Sequence, residues 1–142
     1  MGYIFQPFQS IGEIVFNMTR KQVRQTLKGK VKEFLKTPQS KRMTDAFGDL
    51  GFHVYYDDQE QCEAVELFNP AQVSFEGKQL IGTPYQEVKE HFIKKDEHLE
   101  EDGAGFISKK LGFGVYAPFA GKEPQEPIES VLVFRKEYHD IK

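Results

Sequence analysis

The chain has 142 residues, a net charge of −3, one cysteine, no tryptophan and thirteen phenylalanines. That length suits one domain burying roughly 68–70% of its unfolded surface, so no metal or disulfide staple is required, and 39% apolar content argues against disorder. No apolar run approaches the ~20 residues of a membrane span, the opening MGYIFQPFQSIGEIVF lacks the marks of a signal peptide, and the lone Cys62 suits a reducing compartment, so a cytoplasmic protein with no membrane partner is expected.

In chain order, residues 14–16 read as a short strand leading into a helix over 20–28, which Gly29 ends. Thr19 and Gln22 fit a capping box at its start. Residues 31–36 continue the helical spacing of Val23 and Leu27 through Val31 and Leu35, yet they follow Gly29. Helix and strand both remain open there, with strand taken. A polar loop over 37–44 precedes a strand start at 45–49. Residues 51–56 and 64–68 read as a hairpin joined by Asp57-Asp58-Gln59-Glu60. Asn69-Pro70 punctuates, and a second hairpin spans 73–76 and 78–81 around Gly77. A second helix is expected over 84–94, opened by a Thr83/Gln86 capping box with Pro84 in its first turn. The acidic loop 95–103 then precedes strands at 105–109, 112–117 and 129–136, with a proline-rich loop over 118–127.

Three blocks recur in the same order. Thr19 to Val23 with Leu27 aligns with Thr83 to Val88 with Phe92. Leu50-Gly51-Phe52-His53-Val54-Tyr55-Tyr56 aligns with Leu111-Gly112-Phe113-Gly114-Val115-Tyr116-Ala117, and Cys62-Glu63-Ala64-Val65-Glu66-Leu67-Phe68 with Ile128-Glu129-Ser130-Val131-Leu132-Val133-Phe134. The expected fold is therefore α+β: a single domain of two tandem helix-plus-antiparallel-strands repeats, about 10–70 and 71–138, forming one sheet with the helices on one face. Val23, Leu27, Val88 and Phe92 should then be buried against Phe52, Val54, Phe113 and Val115.

The stretch Phe16-Asn17-Met18-Thr19-Arg20-Lys21-Gln22-Val23, followed by Leu27, resembles the opening motif of the outer-membrane lipoprotein component BamE and its small relatives. Two such units in tandem resemble β-lactamase inhibitor protein-like repeats. The resemblance implies a scaffold that binds another protein, as an inhibitor or immunity-type partner, and carries over no individual binding residue. Asn17 stands where the motif usually has glycine, and no lipobox cysteine lies near the start.

No catalytic set is apparent, so no enzyme, cofactor or metal is expected. Glu87 and His91 stand at i,i+4 without a third ligand. Cys62 reads as a half-buried strand residue. His98 and His139 join no motif. The informative side chains lie on the sheet: Phe52, Val54 and Tyr56 on one face of their strand, His53 and Tyr55 on the other. Helices can cover only one face. The other is expected to present His53, Tyr55, Glu66, Phe68, Tyr116, Leu132 and Phe134 to an unknown protein partner, or to a second copy of the chain. Closure of that face by residues 3–8, 37–44 or 118–127 is the competing outcome. Between Arg20 and Arg42 nine basic residues face the single acid Glu33. Nucleic-acid or polyanion binding is the alternative function, disfavoured because only Phe34 interleaves there and the net charge is negative. An enzyme assembled from distant residues is the third reading.

Overall fold

β-Branched and aromatic residues alternating with polar ones make strands the commonest regular element of this chain. In a computed structural model, residues 2–35, 37–39 and 42–138 are described. The first half holds β1 (Gly2–Gln6), β2 (Ser10–Ile11), β3 (Ile14–Val15), α1 (Arg20–Thr26), β4 (Lys32–Leu35), β5 (Met43–Phe47), β6 (Phe52–Tyr56) and β7 (Cys62–Phe68). The second holds β8 (Gln72–Phe75), β9 (Lys78–Gln79), α2 (Tyr85–Ile93), β10 (Glu100–Asp102), β11 (Gly105–Ser108), β12 (Phe113–Tyr116) and β13 (Ser130–Phe134). Eight strands form one antiparallel sheet in the order β10-β11-β12-β13-β7-β6-β5-β4, and five form another in the order β3-β2-β1-β8-β9.

This architecture corrects the expected fold class. The chain is mostly β, with two sheets and two short helices among the described residues, rather than one sheet covered by helices on one face. The reason is geometric. Eight strands at ~4.8 Å spacing present a face over 30 Å wide, and two helices of ~10 Å diameter cannot cover it. The five-stranded sheet supplies the missing layer. β1, unanticipated because Tyr-Ile-Phe is too short to show a period, pairs in parallel with β8 (Tyr3 opposite Val73). Its Phe5 ring lies 5.1 Å from Phe113, and Tyr3 packs edge-on against Phe52 at 4.9 Å. Val23, Leu27, Val88 and Phe92 of the helices share this core with Phe52, Val54, Phe113 and Val115.

Smaller departures have local causes. β10 lies inside the stretch expected as an acidic loop, because Glu100 to Asp102 pair with Gly105 to Ile107 across a tight turn. β4 ends at Leu35, and Lys36 lies outside the described residues. The Thr19/Gln22 capping box is present, but α2 has Pro84 as its N-cap and no side-chain cap.

The register of the large sheet positions its faces. At its centre β7 and β13 pair antiparallel with Glu66 opposite Leu132, its aligned counterpart. Phe52 opposite Leu67 and Val54 opposite Val65 are matched by Phe113 opposite Val133 and Val115 opposite Val131. One cross-strand row on the inner face thus reads Phe106, Val115, Val131, Leu67, Phe52, Phe47, all buried.

Candidate functional site: the outer face of the large sheet

Period-two alternation sends the neighbours of those core residues to the opposite face. The central outer row runs Ile107, Gly114, Leu132, Glu66, His53, Ala46, in hydrogen-bond register across five strand pairs. Beside it Tyr116, Ser130 and Phe68 form a second row, and Phe134, Ala64 and Tyr55 a third. The seven side chains expected on one face therefore do share it.

Their exposure differs. Tyr116 is 47% exposed. His53, Tyr55, Glu66, Phe68 and Leu132 are half-buried. Phe134 is buried, which corrects its placement on an open face: the Tyr138 ring stacks on it at 5.6 Å, forming a small outer cluster with Ala64. Of the three segments considered as covers, 37–44 includes residues 40 and 41, which lie outside the described residues, and its end forms the start of β5; the other two behave differently. Residues 2–6 became β1 on the inner side, leaving Phe8 packed against the outer cluster. The 118–127 loop turns to the start of α2, where Glu126 and Pro124 carbonyls accept from the Tyr85 and Gln86 N–H groups at 2.8 and 2.9 Å.

Glu66 organises the centre of the face. Its Oε1 accepts from the Tyr55 hydroxyl at 3.0 Å and lies 3.5 Å from His53 Nδ1, and its Oε2 accepts from the Ser130 hydroxyl at 3.2 Å. The His53 contact, with help from Tyr55 and Ser130, outweighs burial and holds the Glu66 carboxyl below its usual range. Burial, reinforced by the Glu66 charge, pushes the Tyr55 hydroxyl up. The His53 ring is set edge-on between Phe34 at 5.0 Å and Phe68 at 4.7 Å, which fixes its orientation. Glu66 is thus a fixed anion in an aromatic surround. Although serine, histidine and carboxylate meet here, the carboxylate stands between the other two. His53 lies on the other oxygen of Glu66 and not on the Ser130 hydroxyl, so the order differs from a serine–histidine–carboxylate triad, in which the histidine takes the serine proton.

Next to Glu66 the face is dented. Gly114 has no side chain between Ile107 and Leu132, and a groove of about 290 Å³ opens there, lined also by Tyr116 and Ser130. The sequence marked Tyr116 and Leu132 but missed Ile107, because β11 had no aligned strand in the first half; its register to Gly114 is the signal that finds it.

The basic stretch is partly neutralised from within. Arg20 Nη1 and Arg24 Nη2 each lie 2.7 Å from Asp45, which is fully buried, and Arg24 also reaches Glu33 at 2.7 Å. Arg42 pairs with Asp58. Lys36 and Lys41 lie outside the described residues. Burial works to raise the Asp45 carboxyl, but hydrogen bonds from Arg24 and Tyr56 and the Arg20 charge hold it below its usual range. Sequence reasoning read Asp45 only as part of a strand start and missed this network, since nothing local couples residues 20, 24 and 45.

The remaining candidates are dispersed. Glu87 pairs with Lys78, and His91 is pushed down by burial and by Lys95 and Lys78. Among the described residues no group of three or more His, Cys, Asp or Glu could hold a metal ion. Cys62 is fully buried rather than half-buried, and burial raises its thiol to about 12. His98 is exposed, and His139 lies outside the described residues. No helix among the described residues is long and apolar enough to cross a membrane. No protein-family model matches the chain, and neither does any curated protein or solved structure.

Proposed function

We propose that this chain is a protein-binding module that takes its partner on the outer face of the large sheet. The observation that supports the reading is the apolar groove at Ile107, Gly114, Tyr116 and Leu132 with the fixed Glu66 anion at its end. Aromatic and aliphatic side chains left half-exposed around one oriented charge are the composition of an interface centre with a polar rim. The partner is a protein presenting an apolar side chain for the groove next to a lysine or arginine for Glu66. An inhibitor or immunity-type role is the form of this reading that the resemblance to inhibitor-like repeats implies.

The test combines capture with stability. The wild-type chain, immobilised, should retain a partner identified by mass spectrometry, and Tyr116→Ala should weaken that capture at least tenfold, a hot-spot loss of ~1.4 kcal/mol or more. Because Tyr116 is 47% exposed, the melting temperature should stay within roughly 2 °C of wild type. Capture that ignores Tyr116→Ala and Leu132→Ala alike removes the groove from the interface. A stability loss near ~3 kcal/mol in Tyr116→Ala would mark the ring as core and end the proposal.

A further inference from the structure

The second half of the core is closed by a ring that the first half lacks. Phe92 on α2 packs against Phe75, Phe106 and Phe113 at centroid distances of 5.9, 6.3 and 4.8 Å. Its aligned counterpart is Leu27, the residue at which the seven-residue α1 ends, whereas α2 runs nine residues. Beside Leu27 a pocket of about 260 Å³ opens between the two sheets and the end of α1. Its walls are Tyr3, Ile11, Ile14, Leu27, Leu50 and Phe52, drawn from both sheets, the helix end and the β5–β6 turn. Glu13 and Lys28 stand exposed at its mouth, with no ion pair to either among the described residues. The Thr26 hydroxyl on the wall already donates to the Gln22 carbonyl.

We propose that this pocket binds a free aromatic amino acid or a molecule of that class, a flat ring carrying an adjacent ammonium and carboxylate. Six apolar side chains offer water few partners, so a ring that displaces it gains affinity. An apolar cavity of roughly 150 Å³ is enough for benzene, and this pocket has room for an indole. The unpaired Glu13 and Lys28 carboxylate and ammonium are complementary to the two charges of the zwitterion. The site is distinct from the outer face, since Phe52 and Ile11 belong to the inner core.

L-tryptophan, indole and tryptophan amide are titrated into the full chain, followed through the NMR methyl signals of Ile11, Ile14 and Leu27. Tryptophan should shift them with a Kd of about 1 mM or tighter, and more tightly than indole. Leu27→Phe, which copies Phe92, should abolish the shifts in a folded protein. Leu50→Phe narrows the pocket from another wall and serves where Leu27→Phe fails to fold. Lys28→Gln should weaken tryptophan at least threefold and leave indole unchanged. No shift with tryptophan or indole at roughly 10 mM overturns the site, as does full binding in both filled variants. Indole binding as tightly as tryptophan overturns the zwitterion, and tryptophan amide binding more tightly overturns the free amino acid in favour of a peptide N-terminus.

Discussion

Asp45 and Phe106 occupy the same place in the two halves of the large sheet and fill it with opposite chemistry. Asp45 faces Val54 across β5 and β6, and Phe106 faces Val115 across β11 and β12. In the first half the slot is a buried carboxylate held by Arg20, Arg24 and the Tyr56 hydroxyl at 2.9 Å. In the second it is a ring, 2% exposed, packed on Tyr85 at 5.9 Å and on Phe92 and Phe113. The neighbours change with it. Tyr85 stands where the first half has Arg20, and Ala117 where it has Tyr56, so a large residue beside a small one is kept in both. An outer ion pair is kept as well: Arg24 with Glu33 at 2.7 Å, Lys89 with Glu101 at 3.0 Å. One backbone slot therefore accepts either volume or charge. The charged version depends on every partner being present, because two guanidinium groups and a hydroxyl converge on one carboxylate out of water.

The widest break in this comparison is to put the second half's ring into the first half's slot alone. Asp45→Phe leaves Arg20 and Arg24 facing an apolar group and crowds Tyr56, and should cost about 4 kcal/mol or more in urea unfolding. Copying the set, Arg20→Tyr, Arg24→Lys, Asp45→Phe and Tyr56→Ala together, restores the volume and removes the unpaired charge. That fourfold variant should return to within about 2 kcal/mol of wild type. If it stays as unstable as Asp45→Phe, the two slots are not equivalent in packing.

A gentler change keeps the shape and removes the charge. Asp45→Asn should cost about 3 kcal/mol at neutral pH, the penalty of leaving the arginines without their buried anion. It should also change the acid limb. A carboxylate whose folded pKa is depressed contributes stability that is fully present above its unfolded value of ~3.9 and is lost as pH falls through the folded one. Wild-type stability should therefore fall steeply below about pH 4, while Asp45→Asn, lower at neutral pH, should fall less. Glu66, held low by His53, and Glu101, held low by the Tyr85 hydroxyl, keep some slope in both. Parallel curves would show that the Asp45 pair contributes nothing to acid sensitivity.

The difference between the halves also marks what the sequence could carry. Side-chain alternation placed His53, Tyr55, Glu66, Phe68, Tyr116 and Leu132 on one face, because a strand has only two faces and the inner one is written in Phe, Val and Leu. It could not show that Phe134 is covered, since Tyr138 reaches back over it through a turn that has no period. The alignment of the halves was visible in Gly-Phe-x-Val-Tyr and in the Val-x-x-x-Leu/Phe spacing, but it said nothing of β1. A five-residue strand pairing in parallel with β8, some seventy residues away, leaves no local trace. Nor did the run of basic residues reveal that two arginines point at one aspartate rather than into solvent.

The smallest expected effect separates the two helix starts, which look alike in sequence and are satisfied differently. At α1 the Thr19 hydroxyl accepts from Gln22 N–H at 3.2 Å, and the Gln22 side chain accepts from Thr19 N–H at 2.9 Å. Among the described residues nothing else serves the Gln22 N–H, so Thr19→Ala should cost about 1 kcal/mol, read as a fall of roughly 3 °C in melting temperature. At α2 the same Thr-x-x-Gln pattern is idle as a cap. Thr83 donates instead to the Gln79 carbonyl at 3.0 Å, and the first N–H groups of the helix go to backbone carbonyls of Glu126 and Pro124. Those acceptors survive any side-chain change at 83, so Thr83→Ala should stay within about 0.5 kcal/mol of wild type. Equal losses at the two threonines would mean that the 118–127 loop leaves the start of α2 in solution and that Thr83 then caps it. A loss at Thr19 alone ties the start of the second helix to the carbonyls of Pro124 and Glu126 in a distant loop, a dependence that the repeated pattern hides.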